Sequence, residues 1–171
     1  MKKSTNCKKV MAKIINMILE NTGSTTQMLE AFTNSKITVE VKSQESFYTP
    51  LEFDEFEWDE LIIKRETVLF ANEIALSKNI VFYDPKLISQ IIIDKLDGGD
   101  IPLGKLLKDI DYRREILFKD YCMLHEMNKY QVFFDNMKEV QPVKKYKIIK
   151  NNKCLFLLYE VFIEENLLTF L

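Results

Sequence analysis

Histidine and arginine are scarce in this sequence of 171 residues: His125 stands alone, and the guanidinium groups are limited to Arg65, Arg113 and Arg114. A histidine-based metal site or catalytic triad would have to start from Cys122 and His125, three apart, and no third partner stands at ligand spacing. The chain is therefore expected to hold no metal. Any site for an anion must draw on the three arginines or on lysines such as Lys64. Glycine is equally sparse. Gly23, Gly98, Gly99 and Gly104 fit neither a phosphate-cradling loop nor a dinucleotide fingerprint. Cys7, Cys122 and Cys154 form no C-x-x-C pair, which reads as reduced thiols in a cytoplasmic protein. The lysine-rich start runs into Lys13, Asn16 and Glu20, so it is no secretory signal. The apolar run Cys154–Tyr159 falls well short of the roughly 20 residues that cross a bilayer. A net charge of −2 leaves no electrostatic footprint for nucleic acid or an anionic membrane.

What is present belongs to a globular protein, with 47% apolar and 29% charged residues. This length suits one domain over 1–171. Val10, Met11, Ile14, Met17 and Ile18 recur at helical spacing over 8–20. Ser24, with Gln27 three residues on, opens a second helix whose Met28, Leu29 and Phe32 would face the core. Ile37, Val39 and Val41 alternate with polar residues as a half-buried strand. Residues 43–60 carry acids interleaved with aromatics, and Pro50 denies a central strand. That stretch reads as a long connection or flap, with a strand starting near Trp58. A hairpin over 61–76, turning at Lys64–Glu66, follows. Asp84-Pro85 starts a helix with a stripe of Leu87, Ile88, Ile91, Ile92 and Leu96, stopped by Gly98-Gly99. A short helix at 101–107 and a strand at 112–123 come next. A hairpin turning at Asn151-Asn152 closes the chain. The order predicts an α+β fold, mainly an antiparallel sheet with helices packed on it.

The final strand-like run, 153–168, is the organising element. It is apolar on both faces, and it contains Glu160. A carboxylate in that setting is either the ion-pair partner of a neighbouring arginine or a functional acid, since burial disfavours its charged form.

Several stretches share an order with one family. They are residues 20–41 with the Gly23–Thr26 turn, Ala71 in a hairpin strand, the IPLGKLL of 101–107, Arg113-Arg114, and the closing hairpin with Glu160. Together they resemble chorismate pyruvate-lyases and their archaeal and plastid relatives, a fold shared with effector-binding domains of some bacterial transcription regulators. The resemblance implies elimination of pyruvate from chorismate to give 4-hydroxybenzoate, without metal or organic cofactor. It implies a catalytic Glu160 at the ring-hydroxyl end. It implies substrate contacts at the Leu103 and Gly104 amides and at Thr25, where the family carries a Met; Arg114 and Arg65 are the candidate substrate-binding residues among the three arginines. The partner would be a small aromatic or enolpyruvyl acid, with no nucleic acid and no membrane, and the protein a monomer or small homo-oligomer.

One position departs from the family. Counted from Trp58, the place of its carboxylate-binding arginine falls on Glu60, whose charge would repel a carboxylate. Arg65 is then close but at the expected turn. This departure motivates an alternative, a non-catalytic ligand-binding module of the same fold. A third possibility is a partner-binding role for the acidic, aromatic 43–60 segment.

Overall fold

The computed structural model describes residues 2–48, 61–99, 101–108, 110–125 and 137–171. One six-stranded antiparallel sheet organises them, in the order β1-β2-β3-β6-β5-β4. The strands are β1 (Ile37–Tyr48), β2 (Leu61–Ala71), β3 (Ile74–Tyr83), β4 (Arg113–Met123), β5 (Val140–Lys150) and β6 (Lys153–Phe162). Two three-stranded meanders thus meet where β3 pairs with β6. The helices are α1 (Lys2–Glu20), α2 (Thr25–Thr33), α3 (Gln90–Gly98), α4 (Leu103–Leu106) and α5 (Glu164–Leu167). The α+β class with an antiparallel sheet is the one expected.

Two tight turns set the register of the central hairpins. Asn151 and Asn152 both have positive φ, 51° and 61°, as a two-residue turn between twisted strands requires. Asn72 and Glu73 do the same between β2 and β3, at 48° and 66°. The first hairpin therefore turns at Asn72-Glu73, and Lys64–Glu66 lies in the middle of β2. Glu73 adopts a backbone region that favours Gly or Asn, so no turn dipeptide advertises it.

Other boundaries also move. β1 continues to Tyr48, so 43–48 is strand, and the rest of the acidic segment, Trp58 and Glu60 included, lies outside the described residues. Asp84 caps a 3-10 turn at Pro85–Leu87, its carboxylate accepting from the Lys86 amide at 2.8 Å, and the helix proper starts after Ser89. Ile91 is consequently exposed while Leu96 is buried. β6 stops at Phe162, and the acids after it open α5.

The helices share the sheet face that bears Glu160. α1 buries Met11, Ile15, Ile18 and Leu19, a stripe one position round from Val10 and Met17, which are exposed. With Leu29 of α2 these side chains pack on Leu69, Ala71 and Phe162. α3 and α4 cover the other end through Leu96 and the neighbouring Leu107, against Val81, Tyr146 and Phe156. The opposite face is a separate cluster of Ile80, Phe82, Leu157, Tyr159 and Val161. A bulge between Ile148 and Ile149 displaces Leu155 onto the Phe156 side, against strict alternation. Truncating fully buried Phe156 or Phe162 to alanine is a change of about 3–5 kcal/mol.

Candidate functional site

Between the α1–α2 and α3–α4 pairs the sheet face is left uncovered, and the gap is a pocket of about 600 Å³ counting its open mouth. Its floor follows from cross-strand register. One row runs Thr67–Asn79–Glu160, with Lys144 opposite Glu160 on β5. The next row runs Arg65–Val81–Leu158–Tyr146. Thr25 and Thr26 from α2, and Pro102, Leu103 and Gly104 at the start of α4, form the walls. All six residues named from sequence, Glu160, Thr25, Leu103, Gly104, Arg114 and Arg65, line this one pocket.

At one end Glu160 is buried and held on both oxygens. Thr25 Oγ1 donates to Oε2 at 2.9 Å, and the Tyr146 hydroxyl donates to Oε1 at 3.1 Å. Burial, with the Glu160 charge beside it, pushes the Tyr146 hydroxyl well above its ordinary pKa, so it remains a donor. Lys144 is 0% exposed and donates to the Ile18 carbonyl at 3.3 Å and to the Asn21 carbonyl. It thereby supplies the cation that the last turn of α1 itself lacks. Burial lowers its pKa, and the Glu160 charge partly offsets this. Arg114 stacks on the Tyr146 ring, 5.2 Å from its centroid, and donates to the Thr22 carbonyl at 3.3 Å. Two cations thus grip the chain between α1 and α2, from which Thr25 reaches Glu160. Arg113 points outward toward Glu115 at 3.9 Å, with its side chain 67% exposed.

At the other end Arg65 is buried, and burial pulls its guanidinium below its ordinary pKa, though an arginine stays charged. Nη1 donates to Gln44 Oε1 at 2.5 Å, and Gln44 Nε2 donates to Asp97 Oδ1 at 2.7 Å. Tyr83 lies nearby, its hydroxyl pushed up to about 12 by burial and by Asp97. Arg65 and Glu160 stand two strands and two residues apart, roughly 12 Å between Cα atoms by strand geometry. Asn79 sits midway, and its Oδ1 is buried without a partner among the described residues, as is Arg114 Nε.

Gly104 is where α4 touches α2. A Cβ there would lie 2.8 Å from Ser24 Oγ and 3.0 Å from Thr26 Oγ1. The glycine lets both helix starts border the pocket, and the Lys105–Glu30 ion pair at 2.6 Å clips them together. Sequence reasoning missed Tyr146, Lys144, Asn79 and Gln44. Their signal was register: each is polar or amphipathic, on the pocket face of a strand, and within one strand of Arg65 or Glu160. Among the described residues no group of three or more His, Cys, Asp or Glu could hold a metal ion.

Comparison with known proteins agrees with this architecture. The effector domain of PhnF from Mycobacterium smegmatis superposes with a TM-score of 0.57 at 8% identity, covering 84% of this chain and 90% of that one. The C-terminal domain of the histidine utilization repressor from Pseudomonas syringae pv. tomato gives 0.55 at 11% identity, covering 77% and 94%. The gene product SA0254 from Staphylococcus aureus gives 0.54 at 16%, covering 83% and 88%. At such identities these likenesses concern the fold. No functionally curated protein matches the sequence. The model of the chorismate pyruvate-lyase Rv2949c-like family matches residues 19–171, and the chain belongs to that family.

Proposed function

We propose that the protein is a chorismate-lyase-type enzyme that eliminates pyruvate from chorismate, or from a closely related enolpyruvyl ring acid, to leave a hydroxybenzoate. The observation that carries this reading is the pairing of Arg65 and Glu160 across one pocket in a chain of this family. Arg65 takes the part of the family's hairpin arginine. It is mid-strand and faces the pocket, whereas Glu60, where the count from Trp58 falls, lies outside the described residues. Arg65 binds the ring carboxylate, assisted by the Leu103 and Gly104 amides. Glu160 accepts from the ring hydroxyl. Arg114 and Thr25 border the enolpyruvyl group.

The reaction breaks the ether C–O bond at the ring carbon, and the proton lost from the hydroxyl-bearing ring carbon ends on the enolpyruvyl methylene, so the ring becomes aromatic and the fragment leaves as pyruvate. Orientation of the ether and exclusion of water are what this chain supplies. No metal or organic cofactor is invoked. We take 1–171 to act as one cytoplasmic domain, as monomer or small homo-oligomer. No helix among the described residues is long and apolar enough to cross a membrane.

Incubation with chorismate, followed by a coupled pyruvate assay and ultraviolet absorbance, tests the proposal. Pyruvate and a hydroxybenzoate should appear together, above the spontaneous background. Background-level release contradicts it. The fold of regulator effector domains keeps one second reading in view, a binding module without the chemistry. Stabilisation by 4-hydroxybenzoate in a thermal shift, with no turnover of chorismate, selects that reading.

A further inference from the structure

Arg65 and Asp97 carry opposite charges close to one another, yet they do not pair. Gln44 stands between them. Its amide accepts from Arg65 Nη1 at 2.5 Å and donates to Asp97 Oδ1 at 2.7 Å. The orientation of this amide is decided by its neighbours. Arginine offers only donors and an ionised carboxylate only acceptors, so a flipped Gln44 would oppose donor to donor and acceptor to acceptor. Gln44 is on β1, directly opposite Arg65 of β2, and Asp97 is in the last turn of α3. Three elements are thus tied by two hydrogen bonds through one neutral group.

The consequence is electrostatic. A direct Arg65–Asp97 bidentate pair would occupy the fork of the guanidinium and cancel its charge. With an amide interposed, Arg65 is aimed and held while its remaining N–H groups and its charge stay available to the pocket. Among the described residues Gln44 is its hydrogen-bond partner and no carboxylate lies within ion-pairing distance. We propose that Gln44 is a positioning residue and charge spacer, which keeps Arg65 unpaired and thereby makes this end of the pocket selective for a ligand carboxylate over its neutral counterpart. The inference rests on the reading of Arg65 as the carboxylate seat.

The test compares two ligands of one shape, 4-hydroxybenzoate and the neutral 4-hydroxybenzamide, by isothermal titration calorimetry. In Gln44→Glu the new carboxylate pairs with Arg65. The Kd of the acid should rise about tenfold or more, as expected when a charge-assisted contact is lost. The Kd of the amide should stay within about threefold, which also shows that the variant is folded. Gln44→Met, which removes the spacer without adding charge, should weaken the acid less than Gln44→Glu and again spare the amide. Equal loss of both ligands, or no loss of the acid in Gln44→Glu, overturns the proposal. A separate arm, Arg65→Met, isolates the underlying reading. If that variant binds the acid as the wild type does, Arg65 is not the carboxylate seat and the spacer role falls with it. Failure of the wild type to bind either ligand has the same consequence.

Discussion

The two ends of the pocket handle charge in opposite ways. Glu160 is already supported: two hydroxyls, from α2 and from β5, point at its oxygens, one at each, leaving further lone pairs for a ligand hydroxyl, and the nearby cations Lys144 and Arg114 each donate to backbone carbonyls of the α1–α2 connection. Arg65 is undersatisfied: one neutral amide holds one of its nitrogens. A buried carboxylate with its donors in place is poised without a ligand. A buried guanidinium with open donors is waiting for an anion, because leaving charged donors unpaired costs about 1–3 kcal/mol or more. The asymmetry gives the pocket a direction, carboxylate toward β1–β2 and hydroxyl toward β5–β6.

The largest expected break comes from Arg65→Met. Affinity for 4-hydroxybenzoate should fall about 100-fold, the scale of a lost charge-assisted contact at a buried site. Titration calorimetry reads this directly, and a change below about threefold would erase the distinction between the ends. Tyr146→Phe attacks the other end. It strips one donor from Glu160 Oε1 and should lower folding stability by about 1–3 kcal/mol in urea denaturation. A neutral outcome would mean that Glu160 is not dependent on the Tyr146 hydroxyl.

The pH dependence of stability sharpens the comparison further, since the signs differ. Lys144 has a folded pKa below its unfolded value. Between the two the unfolded chain binds more protons, so stability should rise as pH climbs toward about 10.5. Tyr83, beside Arg65, has its pKa raised to about 12, so the folded chain keeps its proton longer. Its contribution is complete below about pH 10 and is lost as pH rises toward 12. The Cys154 thiol, pushed up from 9.0 to about 12 by burial, and the raised Tyr146 hydroxyl act in the same direction as Tyr83 and oppose the Lys144 contribution from about pH 9 upward. In thermal midpoints across pH 8–12, Tyr83→Phe should therefore make the alkaline fall shallower without removing it, and Lys144→Met should make it steeper. The smallest effect is expected from Ser24→Ala. It removes the cap whose Oγ accepts from the Gln27 amide at 3.3 Å, a loss of about 1 kcal/mol, and loosens the helix start that aims Thr25. Midpoints from urea titration measure it.

The Glu160 end was far more legible in the sequence than the Arg65 end, for a physical reason. A lone acid inside an apolar run, a capped helix start and a Pro-Leu-Gly element are each local signals. Arg65 was named as a candidate but assigned to a turn, because Lys64-Arg65-Glu66 interrupts an apolar run as a turn would. In fact all three are strand residues. Arg65 faces the pocket, while Lys64 pairs with Glu66 on the other side at 2.8 Å. The true turn, Asn72-Glu73, lacks the glycine that announces such turns. Gln44 lay in a segment read as connection, Tyr146 was read only as the beginning of a hairpin strand, and Lys144 was assigned to no element. Their roles are set by pairings between distant segments, which residue pattern alone does not encode. The second helix and the turn of the closing hairpin, whose signals are a capping pattern and paired asparagines, emerged where they are observed, while the first helix starts earlier, the third later and the last strand ends sooner than their patterns suggested.

The directionality of the pocket is tested most directly by a crystal structure of the protein with 4-hydroxybenzoate bound. The ligand carboxylate should lie within hydrogen-bonding distance of the Arg65 guanidinium, and the phenolic oxygen should contact Glu160. A ligand in the reverse orientation, or seated away from both residues, would contradict the account.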